Sequence, residues 1–222
     1  MTHAEPDHPE KGETAKPSFW ESLKQVDIFS VFLMLFETVF VLWLMIDKKH
    51  LSAFVARKLC HAGSGCIMML INAEHLVCRL FIYSVVGVSL VMNSGLLPAF
   101  NCWFGAPRDV GITIYLCLVF VWVFLGQNLR IMAPMFLADP AGSVVGKWLS
   151  LHFPDQNYKW FAEKTIGGSS AVFLVTLVCL YRPRKPLPRI GVAALAALGE
   201  AVGGAYDNLV IGLIVIAFSE VV

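Results

Sequence analysis

The chain has 222 residues, of which 57% are hydrophobic and only 15% are charged. An ordinary water-soluble domain of this length cannot bury so much apolar material, so the composition predicts a multi-pass integral membrane protein. The formal net charge of +1 gives no reason to expect a nucleic acid partner.

Residues 1–26 are expected to form a disordered N-terminal tail, because acidic and basic residues alternate there with prolines and no apolar core follows at once. This composition is typical of neither a secretory signal nor a transit peptide. Residues 27–222 are expected to form the transmembrane domain.

A helix that crosses the hydrocarbon layer needs about 20 largely apolar residues, because its backbone polar groups must be satisfied within the segment. Apolar windows that meet or approach this length lie at residues 27–46, 59–73, 77–100, 111–126, 171–181 and 190–222. Residues 129–138 are apolar but too short to span, which predicts a broken or re-entrant piece. The expected fold is therefore all-α, a transmembrane helical bundle of six or seven spans.

Cysteines are scattered through the apolar stretches without the CxxC pairs or Cys-His spacing of a zinc site. We expect them to be small buried hydrophobic residues: Cys60, Cys66, Cys78, Cys102, Cys117 and Cys179.

The first of four polar motifs inside apolar segments is RKLCHAGSG, residues 57–65. On a helix, Arg57 and Lys58 lie on the face of His61, and two cations with an imidazole suit phosphate oxygens. The structural alternative is that Arg57 and Lys58 reach the lipid headgroups while His61 makes a helix-helix hydrogen bond.

The second motif is LADPAGSVVGK, residues 137–147. Asp139 is predicted to cap a helix whose first residue is Pro140. Asp139, Ser143, Gly146 and Lys147 would then share one face, where a carboxylate and a lysine could hold a metal ion and the phosphates that it bridges.

A purely structural reading of the second motif has Asp139 as a plain cap, with Gly142 and Gly146 forming a packing contact between spans. The motif is not a Walker A loop, because Ala141 stands where its opening glycine would be and Trp148 replaces the metal-binding Ser or Thr.

The third motif is EKTIGGSSA, residues 163–171, in which Lys164 precedes glycines and serines at the entrance to an apolar helix. Free N–H groups at such an entrance attract phosphate, which makes Gly168 and Ser169 candidate phosphate-binding residues. Gly and Ser are also ordinary turn residues, so the pattern alone is weak.

The fourth motif is EAVGGAYDNL, residues 200–209. Glu200 and Asp207 are seven residues apart and fall nearly on one helical face if the helix continues through the glycines. Carboxylates are costly in a membrane, so two acids with Asn208 favour a cation site.

The four motifs in this order, RKLCH, DPAGSVVGK, KTIGGSSA and EAVGGAYDN, resemble the membrane family of phytol kinase, dolichol kinase and CTP-dependent diacylglycerol kinase. That family is related to phosphatidate cytidylyltransferase. The resemblance covers residues 57 to about 215.

The resemblance implies a kinase that transfers a phosphoryl group to a lipid alcohol, with CTP as donor and Mg²⁺ or another divalent cation as cofactor. An endoplasmic reticulum membrane is the implied location, another organelle membrane the alternative. The catalytic residues would be Asp139, Lys164 and Asp207. The nucleotide or phosphate would contact Arg57, Lys58, His61, Ser143, Gly146, Lys147, Gly168 and Ser169. The metal ligands would be Asp139, Glu200, Asp207 and Asn208.

The sequence departs from the family pattern at two places. Gly167 stands where an acidic residue is usual, and the segment between Lys147 and Lys164 lacks an expected second glycine. Either change is expected to weaken nucleotide or metal binding, unless Glu163 substitutes for the missing acid.

Two other functions remain open at this point. A cytidylyltransferase would join CTP to a lipid phosphate, but the end of the chain lacks the long charged signature expected of that class. A degenerate, non-catalytic membrane protein or a small transporter is the other alternative, and Gly167 keeps it open.

Overall fold

The computed structural model describes residues 26–47, 49–96, 102–180 and 186–219. The predicted disordered tail, residues 1–26, lies outside this part of the chain except for Val26.

Four helices form the first half of the described chain: α1 (Ile28–Ile46), α2 (Ala53–Leu70), α3 (Leu76–Ser94) and α4 (Val110–Phe124). Side-chain oxygens cap three of them, because Asp27, Ser52 and Asp109 each accept a hydrogen bond from the first turn that follows. The helix α3 ends at Gly95, whose φ of 71° favours glycine. The predicted window 77–100 is therefore too long, and its last residues lie outside the described part of the chain.

A 3-10 turn, Leu129–Met132, leads directly into the 20-residue helix α5 (Ala133–His152). The prediction of a separate broken piece at residues 129–138 is wrong, because α5 continues through Pro140. Proline removes one backbone donor and deprives the Phe136 carbonyl of its partner, but surrounding packing outweighs that cost, since α5 is buried from Pro134 to Pro140 apart from Leu137.

A two-stranded antiparallel hairpin follows, β1 (Lys159–Phe161) paired with β2 (Lys164–Thr165). Helix α6 (Ile166–Cys179) begins directly after β2, five residues before the predicted window, because the Thr165 hydroxyl caps it. The fold is thus mostly helical rather than all-α.

The last helices are α7 (Pro186–Gly203) and α8 (Asp207–Ala217), joined by the 3-10 turn Gly204–Tyr206. The helix does not continue through the glycines as the sequence interpretation assumed, because Gly204 adopts a φ of 56°. The resulting break places the start of α8 against the end of α7.

Three segments of the described chain are long and apolar enough to cross a membrane: Ile28–Ile46, Leu76–Ser94 and Leu187–Ala217. The predicted number of six or seven spans is not confirmed, because only these three segments of the described chain meet the length and hydropathy of a span. Val110–Phe124 and Ile166–Cys179 are apolar but have 15 and 14 residues, which correspond to only ~22 Å of helix. Helix α1 turns large apolar side chains outward, including Ile28, Phe32 and Leu35.

Helix α5 is the centre of the bundle and packs against α2, α6 and α8. Phe136, Met132 and Met135 are fully buried there. The cysteines are less uniform than predicted, since Cys78 is buried, Cys117 is exposed and the others lie between these limits.

Candidate functional site

Asp139 lies in the interior of α5 and is buried, with two residues of α2 facing it. The ammonium of Lys58 donates to both carboxylate oxygens at 3.1 and 2.9 Å. Nδ1 of His61 lies 3.6 Å from the same carboxylate. The predicted capping role of Asp139 is wrong, since α5 begins six residues earlier. Its carboxylate instead joins α5 to α2.

The ring orientation of His61 is set by its other nitrogen. Nε2 lies 3.2 Å from the carbonyl oxygen of Met135, which can only accept, so Nε2 carries a hydrogen. The ring also lies 4.3 Å, centroid to centroid, from the edge-on ring of Tyr115. His61 is thereby held with Nδ1 toward Asp139.

Lys164, in β2, brings the ends of α7 and α8 together. Its ammonium donates to Glu200 Oε1 and lies 3.5 Å from Asp207 Oδ2. Burial alone would lower the pKa of Lys164, but the hydrogen bond and charge of Glu200, then the charges of Asp207 and Asp139, raise the pKa above its ordinary value. Lys164 is therefore charged throughout the physiological pH range.

The two lysine-centred groups meet in one cluster. Each of Asp139, Glu200 and Asp207 offers a carboxylate oxygen, and these oxygens all lie within 4.8 Å of one another. Against three carboxylates stand two ammonium groups, those of Lys58 and Lys164. With all of these groups ionised, the cluster carries one excess negative charge, which attracts a cation.

The donor set suits a hard divalent cation such as Mg²⁺, which takes oxygen ligands at ~2.1 Å. Adjacent oxygens on one octahedral ion would lie ~3.0 Å apart, so the three carboxylates, now within 4.8 Å of one another, would have to close by up to ~1.8 Å. Asn208, next to Asp207, adds a buried Oδ1 that has no hydrogen-bond partner among the described residues. An orphaned oxygen in this position is a further possible ligand.

A cavity of about 340 Å³ adjoins the cluster and contains most of the residues predicted to bind phosphate. Lys164 and Glu200 line it and therefore connect it to the carboxylates. The predicted residues Ser143, Gly146, Lys147, Gly168 and Ser169 line it as well. Ser143 also donates to Asp139 at 3.4 Å.

Glycines allow α5 and α6 to approach closely beside this cavity. A Cβ atom on Gly142 would lie 2.5 Å from Val172 Cγ2, and one on Gly146 would lie 3.0 Å from Thr165 Oγ1. One on Gly168 would lie 3.0 Å from the carbonyl oxygen of Gly142. The predicted packing contact of Gly142 and Gly146 is therefore present between α5 and α6, although the capping role of Asp139 in the same interpretation is not. The close packing extends to Gly168 in the third motif.

The amides at the start of α6 are not free, contrary to the prediction for a phosphate site. The Ile166 amide donates to the Tyr158 carbonyl, and that of Gly167 to Asn157 Oδ1. The Gly168 amide donates to Thr165 Oγ1 at 3.2 Å. Phosphate in the cavity would therefore contact side chains, chiefly lysines, rather than this helix terminus.

Lys58 and His61, predicted to bind phosphate, contact Asp139 instead and do not line the cavity. Two more predicted phosphate ligands also have other partners. The guanidinium of Arg57 binds Asp109 at 2.7 Å, so the structure directs it toward the start of α4. The Lys147 ammonium lies 4.3 Å from the ring centroid of Phe54, although the residue lines the cavity. Arg57 thus stabilises a helix start, whereas Lys147 remains part of the cavity lining.

Gly167, where the kinase family that the motifs resemble has an acid, leaves little room for a side chain. A Cβ atom there would lie 2.3 Å from Leu149 Cδ1 and 2.7 Å from Asn157 Oδ1. Glu163 is exposed and pairs with Lys159 at 2.5 Å, although it also lines the cavity. No acid can therefore occupy position 167 without local rearrangement.

Asn157, which belongs to none of the four sequence motifs, holds the framework of the cavity. Its buried side chain donates to the Gly146 carbonyl and Ser150 Oγ, each at 2.9 Å, while its Oδ1 accepts from Gly167 at 2.8 Å. A lone Asn in a loop carries no pattern that reveals such a role. Thr165 was detectable, because a Thr before an apolar helix is a standard capping signal.

The fold and the site together define a mostly helical protein with three segments long and apolar enough to cross a membrane and a buried carboxylate-lysine cluster beside a polar cavity. No model of a known protein family, no curated protein and no solved structure matches the chain.

Proposed function

We propose that the protein is an integral membrane phosphotransferase that uses a divalent cation to move a phosphoryl group from a nucleotide to a lipid alcohol. The observation that carries the proposal is the convergence of Asp139, Glu200 and Asp207 from three different helices within 4.8 Å, beside a cavity lined by Lys147 and Lys164. Phosphoryl transfer needs chiefly positioning and charge neutralisation, which carboxylates, a metal and lysines supply.

Asp139, Glu200 and Asp207, with Asn208, would hold the cation. When bound, a divalent ion neutralises charge on the phosphates that it bridges. Lys164 now neutralises Glu200 and Asp207 by direct contact. With a cation on those carboxylates, the Lys164 ammonium would be free to bind phosphate oxygens in the cavity that it already lines.

The transfer step breaks the bond between the γ-phosphorus and its bridging oxygen and forms a bond from the alcohol oxygen to that phosphorus. The nucleoside diphosphate leaves with the bridging oxygen. The alcohol proton passes to a carboxylate, and Asp139 or Asp207 is the acceptor, since both lie in the cluster. Lys58 and His61 hold Asp139 in place during this step.

The choice of CTP as donor, and of diacylglycerol, a polyprenol such as dolichol, or phytol as acceptor, rests on the resemblance of the four motifs. The endoplasmic reticulum location has the same basis. Three apolar segments long enough to cross a membrane support the membrane setting.

The test is an assay of purified full-length protein in detergent with Mg²⁺, γ-labelled CTP or ATP, and a panel of lipid alcohols. We expect a labelled lipid phosphate together with CDP. Asp139→Asn and Asp207→Asn should lower the rate at least ~100-fold, since each removes a proposed metal ligand or proton acceptor. Lys49→Ala, which removes an exposed cation outside the cavity and the carboxylate cluster, is the control and should leave the rate within about twofold.

A parallel assay with α-labelled CTP and a lipid phosphate as acceptor separates the rival functions. Release of pyrophosphate with incorporation of labelled cytidylate into lipid would identify a cytidylyltransferase. Absence of both nucleotide binding and transfer in the wild-type protein would contradict the proposal and favour a non-catalytic protein.

A further inference from the structure

An apolar cleft of about 620 Å³ lies on the outer side of the hairpin. Its walls are Tyr158 and Trp160 from the hairpin side and Phe173 and Leu174 from α6. These four side chains include exposed apolar groups, Leu174 at 57% and Trp160 at 41%. The size lies within the range of sites that hold small organic ligands.

The cleft ends at the polar cavity. Ser169 lines both spaces, so the two adjoin at this residue. Trp160 Nε1 donates to Ser169 Oγ at 3.0 Å, which fixes the serine at the junction. The Ser169 hydroxyl accepts this bond and keeps its own hydrogen available for a ligand oxygen.

An apolar wall that ends at a cavity containing Lys164 and Glu200 fits a ligand with a hydrocarbon chain and one polar head. A wholly polar ligand would leave the aromatic wall uncovered, and a wholly apolar one would place nothing against the charged groups. The exposed outer edge at Leu174 lets the rest of a long chain continue into surrounding lipid.

We propose that the cleft of Tyr158, Trp160, Phe173 and Leu174 binds the hydrocarbon chain of the lipid alcohol, with the alcohol oxygen at Ser169. This inference rests on the proposed function for the identity of the ligand as the acceptor. It assigns Ser169 as a positioning residue for the acceptor hydroxyl rather than for the nucleotide.

The test is photo-crosslinking of the full-length protein in detergent with hexadecanol that carries a diazirine at about the fifth carbon from its hydroxyl, close enough to the head to lie within the cleft. Nucleotide and metal are omitted, so the result does not depend on catalysis. We expect saturable labelling that maps to residues 158–174, with competition by unlabelled hexadecanol and at least ~10-fold weaker competition by hexadecane, which lacks the polar head.

A pair of variants one helical turn apart provides the control. Leu174→Trp fills the cleft and should weaken half-saturation about 10-fold, because overfilling an apolar site costs about 1–3 kcal/mol. Val178 is also exposed on α6, at 72%, but does not line the cleft, so Val178→Trp should change nothing.

Equal labelling of the two variants, or labelling spread evenly over other apolar surfaces, would overturn the assignment. Failure of phosphoryl transfer with the labelling pattern intact would reject the proposed kinase but leave a lipid alcohol site. If Leu174→Trp transfers phosphate to long-chain alcohols with the wild-type rate and KM, the cleft is not the acceptor site. The proposed kinase activity would then still stand.

Discussion

Lys164 is the group whose removal should reveal how the carboxylate cluster is stabilised. In Lys164→Ala, Glu200 loses its hydrogen-bond partner and Asp207 loses a cation at 3.5 Å. At an effective dielectric constant of about 20, two carboxylates 4.8 Å apart repel by ~3 kcal/mol. Lys58 alone then faces three acids.

Breaking a buried ion pair from one side costs about 3–5 kcal/mol. The Lys164 side chain is 25% exposed, so the lower end applies, and we expect a loss of ~3 kcal/mol. For a chain of this length the loss corresponds to a Tm lower by roughly 6–12 °C. Thermal unfolding in detergent, followed by tryptophan fluorescence, measures it.

Divalent cations should restore much of this loss, because the ion replaces the missing ammonium. A cation at 100 times its Kd stabilises the folded protein by about 2.7 kcal/mol. The Tm of Lys164→Ala should therefore rise with Mg²⁺ or Mn²⁺ more than that of the wild type. Lys49→Ala is the control, because Lys49 is exposed and lies outside the cluster and the cavity, so its Tm should respond to the cation as that of the wild type does. Equal shifts in the two variants, or no cation response in Lys164→Ala, would refute the reasoning.

Three further substitutions test the framework by thermal unfolding in the same detergent. Gly167→Asp should destabilise the protein by ~1–3 kcal/mol, because its Cβ would collide with the Leu149 side chain. A Cβ at Gly191 meets open space, so Gly191→Ala is the control and should be neutral or slightly stabilising. Equal effects of the two substitutions would contradict the packing argument. Asn157→Leu should lower stability by roughly 2–4 kcal/mol, since it removes three hydrogen bonds and leaves buried partners unsatisfied. An unchanged Tm would show that Asn157 does not hold the framework of the cavity. Glu37→Leu should instead raise stability by roughly 1–3 kcal/mol, because this buried carboxyl has at most the Ser64 hydroxyl as a partner among the described residues. A lower Tm would mean that the carboxyl has a stabilising role.

The sequence predicts most helices of this fold because hydrophobic windows and caps are local signals. Windows 27–46 and 111–126 nearly match α1 and α4, whose starts have clear caps in Asp27 and Asp109. Around Pro140 the prediction of the helix start fails, because proline is typical of the first helical position but lies inside α5. The buried environment of α5 decides the outcome there, and no local pattern reports it.

The acidic part of the site was predictable for a physical reason: ionisable residues in apolar segments are rare, so Asp139, Glu200 and Asp207 stand out. Which groups they contact was not predictable. Arg57 shares a helical face with His61 in sequence spacing, yet its partner is Asp109, which lies 52 positions further along the chain. Such long-range pairings depend on helix packing.

The most direct test of the shared site is electron paramagnetic resonance of Mn²⁺ bound to the purified protein with CTP. We expect one tightly bound Mn²⁺ with hyperfine coupling to nucleotide phosphorus. Both the tight binding and the coupling should be lost in Asp139→Asn, Glu200→Gln and Asp207→Asn. Mn²⁺ binding that survives all three substitutions unchanged, or a bound ion without phosphorus coupling, would contradict the shared site.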